Sequence, residues 1–202
     1  MSPAPSRAGP VAVTTLVIVS HADLASSRAH RKLLGAIKGL RDVGVRHLEA
    51  LYPDGRIDVA AEQAAVLPAT RIVFQFPFNW YSTPPMLKAW QDEVLAAGFA
   101  FGPGGTQMRG KQLQLVLTAG GTRESYRRGG HNLFEVTELL KPLEATAHFV
   151  GMTLAPPLVL YYVPNVPGIP VPEDVDARID AFCVSYRDLL ATQVAAVAVG
   201  SP

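Results

Sequence analysis

The sequence has a single cysteine, Cys183, in 202 residues. One thiol excludes an internal disulfide and any cysteine metal cluster, which fits a reducing cytosol. Charge is scarce as well: only 17% of residues are Asp, Glu, Lys or Arg, below the roughly 25% of average globular proteins. Both faces of a sheet are therefore expected to be covered. A net charge of +1 gives no electrostatic ground for nucleic acid or an anionic membrane as partner. It also argues against a small acidic electron carrier with a charged docking face. The five histidines (His21, His30, His47, His131, His148) lack metal-ligand spacing, so no metal is expected. No stretch approaches the ~20 apolar residues of a membrane span, and no Gly-x-Ser-x-Gly elbow of a hydrolase is present. Gly105–Lys111 imitates the opening of a phosphate-binding P-loop. Gln112 stands where a metal-binding hydroxyl belongs, and a strand follows instead of a helix, so the nucleoside-triphosphate reading fails.

What is present is an alternation of strand-like and helix-like patterns in a chain of single-domain length. Residues 1–10 are rich in Pro, Ser and Ala and read as a disordered tail; residues 11–196 read as one domain. Arg7, the apolar run Val11–Val19 and the small residues after it caricature a signal peptide. The β-branched content of the run suits a buried parallel strand better. A helix is expected over Arg28–Val43, with Leu33, Leu34, Ile37 and Leu40 on one face and Gly44 as terminator. An edge strand at Val45–Leu51, a short helix at Val59–Leu67 and a third strand at Arg71–Phe76 follow. Next come a helix from Pro85 to Ala97, a fourth strand at Gln112–Leu117 and a helix over Asn132–Leu143. A fifth strand at Leu158–Val163 after Pro156-Pro157 and a long helix over Glu173–Val194 complete the pattern. This predicts an α/β fold, a doubly wound five-stranded parallel sheet of flavodoxin-like order 2-1-3-4-5 with helices on both faces. In such sheets the ligand lies beyond the carboxyl ends of the strands, at the switch between strands one and three.

That rule selects three loops. His21-Ala22-Asp23-Leu24-Ala25-Ser26-Ser27 enters the first helix, and a helix N-terminus with serine hydroxyls is a competent phosphate site, to which His21 adds a charge-assisted contact. The loop lacks the glycines of a dinucleotide fingerprint; the alternative is an ordinary capped helix. Pro77-Phe78-Asn79-Trp80-Tyr81-Ser82-Thr83-Pro84 gathers aromatics between prolines and reads as a rigid flat wall for a planar heterocycle, or else as core aromatics at a loop base. Thr118-Ala119-Gly120-Gly121 permits close backbone approach to a ligand, with Tyr126 and His131 downstream to supply or relay a proton. A plain turn there is the alternative.

Taken together, the loops resemble the NAD(P)H:quinone oxidoreductase family of flavodoxin-like flavoproteins, including its bacterial members and the ancillary flavoproteins of potassium-efflux systems. The likeness covers residues 11–190 and is carried by His21 with Ser27 and by Phe74-Gln75-Phe76-Pro77-Phe78-Asn79-Trp80-Tyr81. It continues through Pro84-Pro85-Met86-Leu87-Lys88-Ala89-Trp90 and Phe99-Ala100-Phe101-Gly102, and closes on Thr118-Ala119-Gly120-Gly121 with Tyr126. The resemblance implies that His21 and Ser27 lie at a flavin phosphate, and that Pro77, Phe78, Asn79, Trp80 and Tyr81 cradle its ring. Thr118, Ala119, Gly120 and Gly121 would meet the pyrimidine edge. Tyr126 and, across a one-residue gap, His131 would be the catalytic pair handling charge during hydride transfer. Relatives often carry proline at Ala22, asparagine at His30, threonine at Ala119 and tyrosine at Phe101. The segment after strand two lacks the insertion of the FAD-binding animal enzymes, which favours FMN, with FAD as the alternative.

The implied activity is two-electron transfer from the co-substrate NAD(P)H to a quinone-like acceptor, by a cytoplasmic homodimer whose sites lie at the subunit interface. The rival reading is a flavin-binding regulatory subunit of a potassium-efflux transporter, peripherally associated with it and without a membrane span of its own. A one-electron carrier and a flavin-free α/β domain are the remaining alternatives.

Overall fold

A computed structural model describes residues 14–164 and 168–192; the expected tail at residues 1–10 lies outside them. The first strand, β1 (Thr14–Val19), is apolar from Leu16 onward because it is covered on both sides. Successive side chains of a strand point to opposite faces. Leu16 and Ile18 accordingly join one core, and Val17 and Val19 the other.

The chain continues through α1 (Arg28–Ile37), β2 (Val43–His47), α2 (Leu48–Leu51), α3 (Val59–Val66), β3 (Ala69–Pro77) and α4 (Pro85–Val94). It then passes through β4 (Gln112–Thr118), α5 (Val136–Leu139), α6 (Lys141–Phe149), β5 (Thr153–Leu154), β6 (Leu158–Leu160) and α7 (Val175–Ala191). Every strand pairing is parallel, in the order β2-β1-β3-β4-β5, with β6 also on β4. Strands β5 and β6 pair with the start and end of β4 respectively. They form one fifth strand broken at Pro156-Pro157, where proline cannot donate to a ladder and is tolerated only at an edge. The predicted 2-1-3-4-5 order thus stands.

Helices α1 and α7 cover one face through Leu33, Ile37, Ile179, Phe182 and Tyr186. The other face is covered from α3, α4, α5 and α6 by Val66, Leu87, Trp90, Val136 and Leu143. Within that second core Glu62 is fully buried, yet satisfied. Its carboxylate accepts from Trp90 Nε1 at 2.9 Å, Tyr52 Oη at 2.6 Å and Arg46 Nε at 2.5 Å. A buried charge with three donors is the arrangement in which burial is tolerable.

Several boundaries differ from expectation, among them the end of α4 at Val94 and of β6 at Leu160, and three of the differences have a plain local reason. Helix α1 stops at Ile37 because Gly39, at φ +80°, takes the left-handed position that ends a helix; Gly44 instead lies inside β2. Leu48–Leu51, expected as strand, coils into α2. The single helix expected over Asn132–Leu143 is two, since Pro142 lacks the N–H that would continue α5 and instead sits in the first turn of α6.

Candidate functional site

Strands β1, β3 and β4 end at Val19, Pro77 and Thr118, and the loops leaving them converge on one cleft of about 690 Å3. It sits where the strand order reverses, between β1 and β3. A second hollow of about 470 Å3 lies beside the break in strand five, lined mainly by Leu115, Leu140, Met152, Leu154 and the Pro156-Pro157 pair. That hollow also takes Thr137, Glu144 and His148 but lies at an irregular sheet edge. The carboxyl-end cleft instead gathers histidines, serine hydroxyls and free amides at the switch point and is the candidate site.

The wall from β1 is His21 and the start of α1. Ser27 caps this helix, its hydroxyl accepting from His30 N at 3.1 Å. Asp23 braces the turn by accepting from Ser26 N and Oγ. Its carboxylate also faces the cleft, a negative charge that sequence inspection passed over. His21 Nδ1 accepts from Asp23 N at 3.2 Å, which leaves Nε2 as the donor nitrogen of a neutral ring. Burial, its largest influence, pushes the His21 imidazole below its usual range against the opposing pull of Glu49 and Asp23. At neutral pH His21 therefore offers a neutral N–H, and a contact from it to a phosphate is charge-assisted through the anion alone.

The wall from β3 is a strained turn. Asn79 and Ser82 bridge, with Ser82 N donating to Asn79 O at 3.0 Å. The two central residues, Trp80 and Tyr81, have φ of +48° and +63°. Positive φ at both positions defines a type I′ turn, which normally takes Asn-Gly; for bulky residues it costs about 1–2 kcal/mol each. Strain of this kind persists where the surroundings hold it, and it concentrates at functional sites. Trp80 projects outward, 92% exposed. Phe78 turns inward instead, packing edge-on to Tyr81 at 6.5 Å and against Tyr126 at 6.3 Å. Tyr81 Oη donates to Asn132 Oδ1 at 3.2 Å, tying this turn to the loop after β4.

The wall from β4 separates four neighbouring residues into different tasks. Thr118 and Gly120 line the cleft. A Cβ on Gly120 would meet nothing within 4 Å. Ala119 is buried, and its N–H is spent on Leu160 O at 2.9 Å. A Cβ on Gly121 would lie 2.7 Å from Ser125 Oγ and 3.1 Å from Tyr126 Cε2, so this glycine serves loop packing. The amides of Trp80, Tyr81, Gly120 and Gly121 have no protein acceptor among the described residues. Tyr126 stands behind Phe78, its other neighbour Tyr161 at 5.9 Å. Burial first, then Tyr81 and Tyr161, raises its phenol above the usual range, so it is protonated at neutral pH. His131 is exposed on the same loop.

Of the residues singled out from sequence, the cleft wall thus takes His21, Ser27, Pro77, Phe78, Asn79, Trp80, Thr118 and Gly120. Tyr81, Ala119, Gly121, Tyr126 and His131 lie outside that wall. Sequence inspection missed Val163 and Pro164, which close the far side. They follow the end of strand five, and the carboxyl-end rule would have found them. It also noticed His30 only as a departure from the family pattern, whereas the structure puts this ring 1% exposed beneath the cleft.

The family model described as flavodoxin-like fold matches residues 13–189. This chain belongs to that family. Among curated relatives, the NAD(P)H oxidoreductase YdeQ of Bacillus subtilis, itself described as uncharacterized, is 47% identical over 147 residues, 73% of this chain and 75% of the relative. The glutathione-regulated potassium-efflux system ancillary protein KefF of Salmonella arizonae is 45% identical over 146 residues, 72% of this chain and 82% of that protein. Among solved structures, general stress protein 14 of Treponema denticola in complex with FMN superposes with a TM-score of 0.77 at 32% identity, covering 88% of this chain and 99% of that one. An NADPH-quinone reductase from P. pentosaceus superposes with a TM-score of 0.77 at 30% identity, covering 91% and 100%.

Proposed function

We propose that this chain holds FMN in the carboxyl-end cleft and works as a homodimeric NAD(P)H oxidoreductase that reduces a quinone or a similar acceptor. The observation that carries the reading is the convergence of the α1 start, the strained Trp80-Tyr81 turn and the Thr118–Gly120 segment on a single cleft. The names borne by the relatives, one of them an FMN complex and one an NADPH-quinone reductase, support it.

The donor set fits such a group. The N-terminus of α1, with the Ser27 hydroxyl and the His21 N–H beside it, would hold a phosphate. Asp23 sets the limit of that pocket, since a phosphate is best placed away from its carboxylate. The free amides of Trp80 and Gly120, both on the cleft wall, would meet the acceptors of a planar ring edge. Phe78 and Trp80 would exclude water from one side of it. Bound FMN would supply the hydride chemistry, the protein binding, orientation and proton donors. Tyr126 holds a proton on its hydroxyl at neutral pH but stands behind Phe78, outside the cleft wall. Its part and that of His131 would be to relay a proton towards an acceptor oxygen gaining charge rather than to touch it.

The visible spectrum of the purified protein tests this. After reconstitution with FMN the protein is expected to carry flavin bands that NADPH bleaches anaerobically and that a soluble quinone restores. Protein that stays colourless after reconstitution sinks the reading. The likeness to KefF supports a second one, a flavin-holding regulatory subunit of a transporter. Flavin uptake without turnover on soluble quinones would favour it.

A further inference from the structure

Beneath the cleft lies a polar cluster inside the sheet–helix interface: His30 of α1, Gln75 of β3 and Thr118 of β4, all buried. His30 Nε2 is 3.0 Å from Thr118 Oγ1. The Gln75 side-chain nitrogen lies 3.4 Å from His30 Nδ1 and 3.5 Å from His30 O. A backbone carbonyl can only accept, so the Gln75 amide nitrogen is the atom that can bond it. The buried Gln75 Oε1 is left without a partner, the consequence of turning the amide nitrogen towards His30. With that nitrogen donating, Nδ1 of His30 is an acceptor and bears no proton. Burial depresses the ring's affinity for protons to a pKa of about 3, so it is neutral, and the Gln75 contact at Nδ1 leaves Nε2 as the place for its one proton. Nε2–H then donates to Thr118 Oγ1. The hydroxyl's own proton has no acceptor among the described residues, and Thr118 lines the cleft.

We propose that His30 is a positioning residue: held by Gln75, it fixes the Thr118 hydroxyl as a hydrogen-bond donor aimed into the cleft, at an acceptor atom of the bound group. Taking that group to be FMN rests on the function proposed above; the direction of the hydroxyl does not. A hydroxyl that gave its proton to the histidine could only accept from the ligand; with Nε2–H donating, one lone pair is taken and the hydroxyl's proton is left for an acceptor in the cleft.

Two measurements separate the claims. Nitrogen-15 spectra of the imidazole groups in flavin-free protein at neutral pH are expected to place the His30 proton on Nε2. A proton on Nδ1, or on both nitrogens, overturns the proposal. Binding of FMN, followed by quenching of its fluorescence, reads the consequence. Thr118→Val and His30→Leu are each expected to weaken binding about tenfold, the worth of one hydrogen bond. The double variant should be weaker than either single one by no more than about twofold, because both remove the same donor. His30→Asn, which keeps an amide donor, should recover binding to within about threefold of the parent. Losses that multiply in the double variant overturn the proposal. If the proton sits on Nε2 and the parent protein takes up no FMN, the flavin reading fails and the directed hydroxyl stands.

Discussion

At the scale of single residues, the cleft floor owes its character to side chains whose chemistry is altered by burial. His30 is the plainest case. Its imidazole is neutral because desolvation, aided slightly by His21 at 5.1 Å between ring centroids, lowers its pKa from 6.5 to about 3. The unfolded chain therefore binds a proton near pH 6.5 that the folded chain refuses until about pH 3. Stability from this group is complete above the higher value and is lost as pH falls through the window, by at most about 1.4 kcal/mol per pH unit. Urea unfolding of the flavin-free protein at pH 7 and pH 5 is expected to show a drop of about 2 kcal/mol that His30→Asn largely abolishes. An equal drop in parent and variant would show that other groups govern the acid limb.

At the scale of elements, two adjacent glycines that look interchangeable in the sequence have opposite duties. Gly120 faces open cleft, so Gly120→Glu should leave the unfolding midpoint within about 2 °C of the parent, a change below ~1 kcal/mol. It should weaken FMN binding at least about tenfold, by setting a side chain and a charge in the ligand's place. Gly121→Ala meets Ser125 Oγ at 2.7 Å and the Tyr126 ring at 3.1 Å. It is expected to destabilise by about 1–3 kcal/mol as overpacking does, read by thermal or urea unfolding. The Trp80-Tyr81 turn makes the complementary case. Trp80→Gly relieves a left-handed backbone at φ +48° while removing an exposed indole. It is expected to raise stability by about 1 kcal/mol and to lower FMN retention, the trade expected where strain serves a site. A variant that gains stability and keeps its flavin would remove Trp80 from the site.

At the scale of the whole molecule, both cores press on one sheet, and the cleft is assembled from the ends of its central strands. A ligand that binds there stabilises only the folded form. FMN at a hundredfold excess over its dissociation constant is expected to add about 2.7 kcal/mol. For a chain of this size that is roughly 5–10 °C in the unfolding midpoint. Differential scanning fluorimetry with and without FMN reads the shift, and its absence would argue against the cleft as the binding site. Among the described residues no helix is long and apolar enough to cross a membrane.

The sequence by itself determined the class of fold and the region of the cleft. Apolar runs such as Leu16–Val19 and Ile72–Phe74 point to strands covered on both faces, and their alternation with helical patterns leaves few parallel topologies. The Trp80-Tyr81 and Gly120-Gly121 segments were legible as loops at strand ends for the same reason. Only the tertiary structure decided what each residue in those loops does. Local pattern does not say that Ala119 spends its amide on β6, that Gly121 is hemmed in by Ser125, or that Tyr81 reaches Asn132. Nor does it say that His30 meets Thr118 across 88 positions of sequence. These depend on contacts between segments remote along the chain, whose partners are fixed only when the sheet closes.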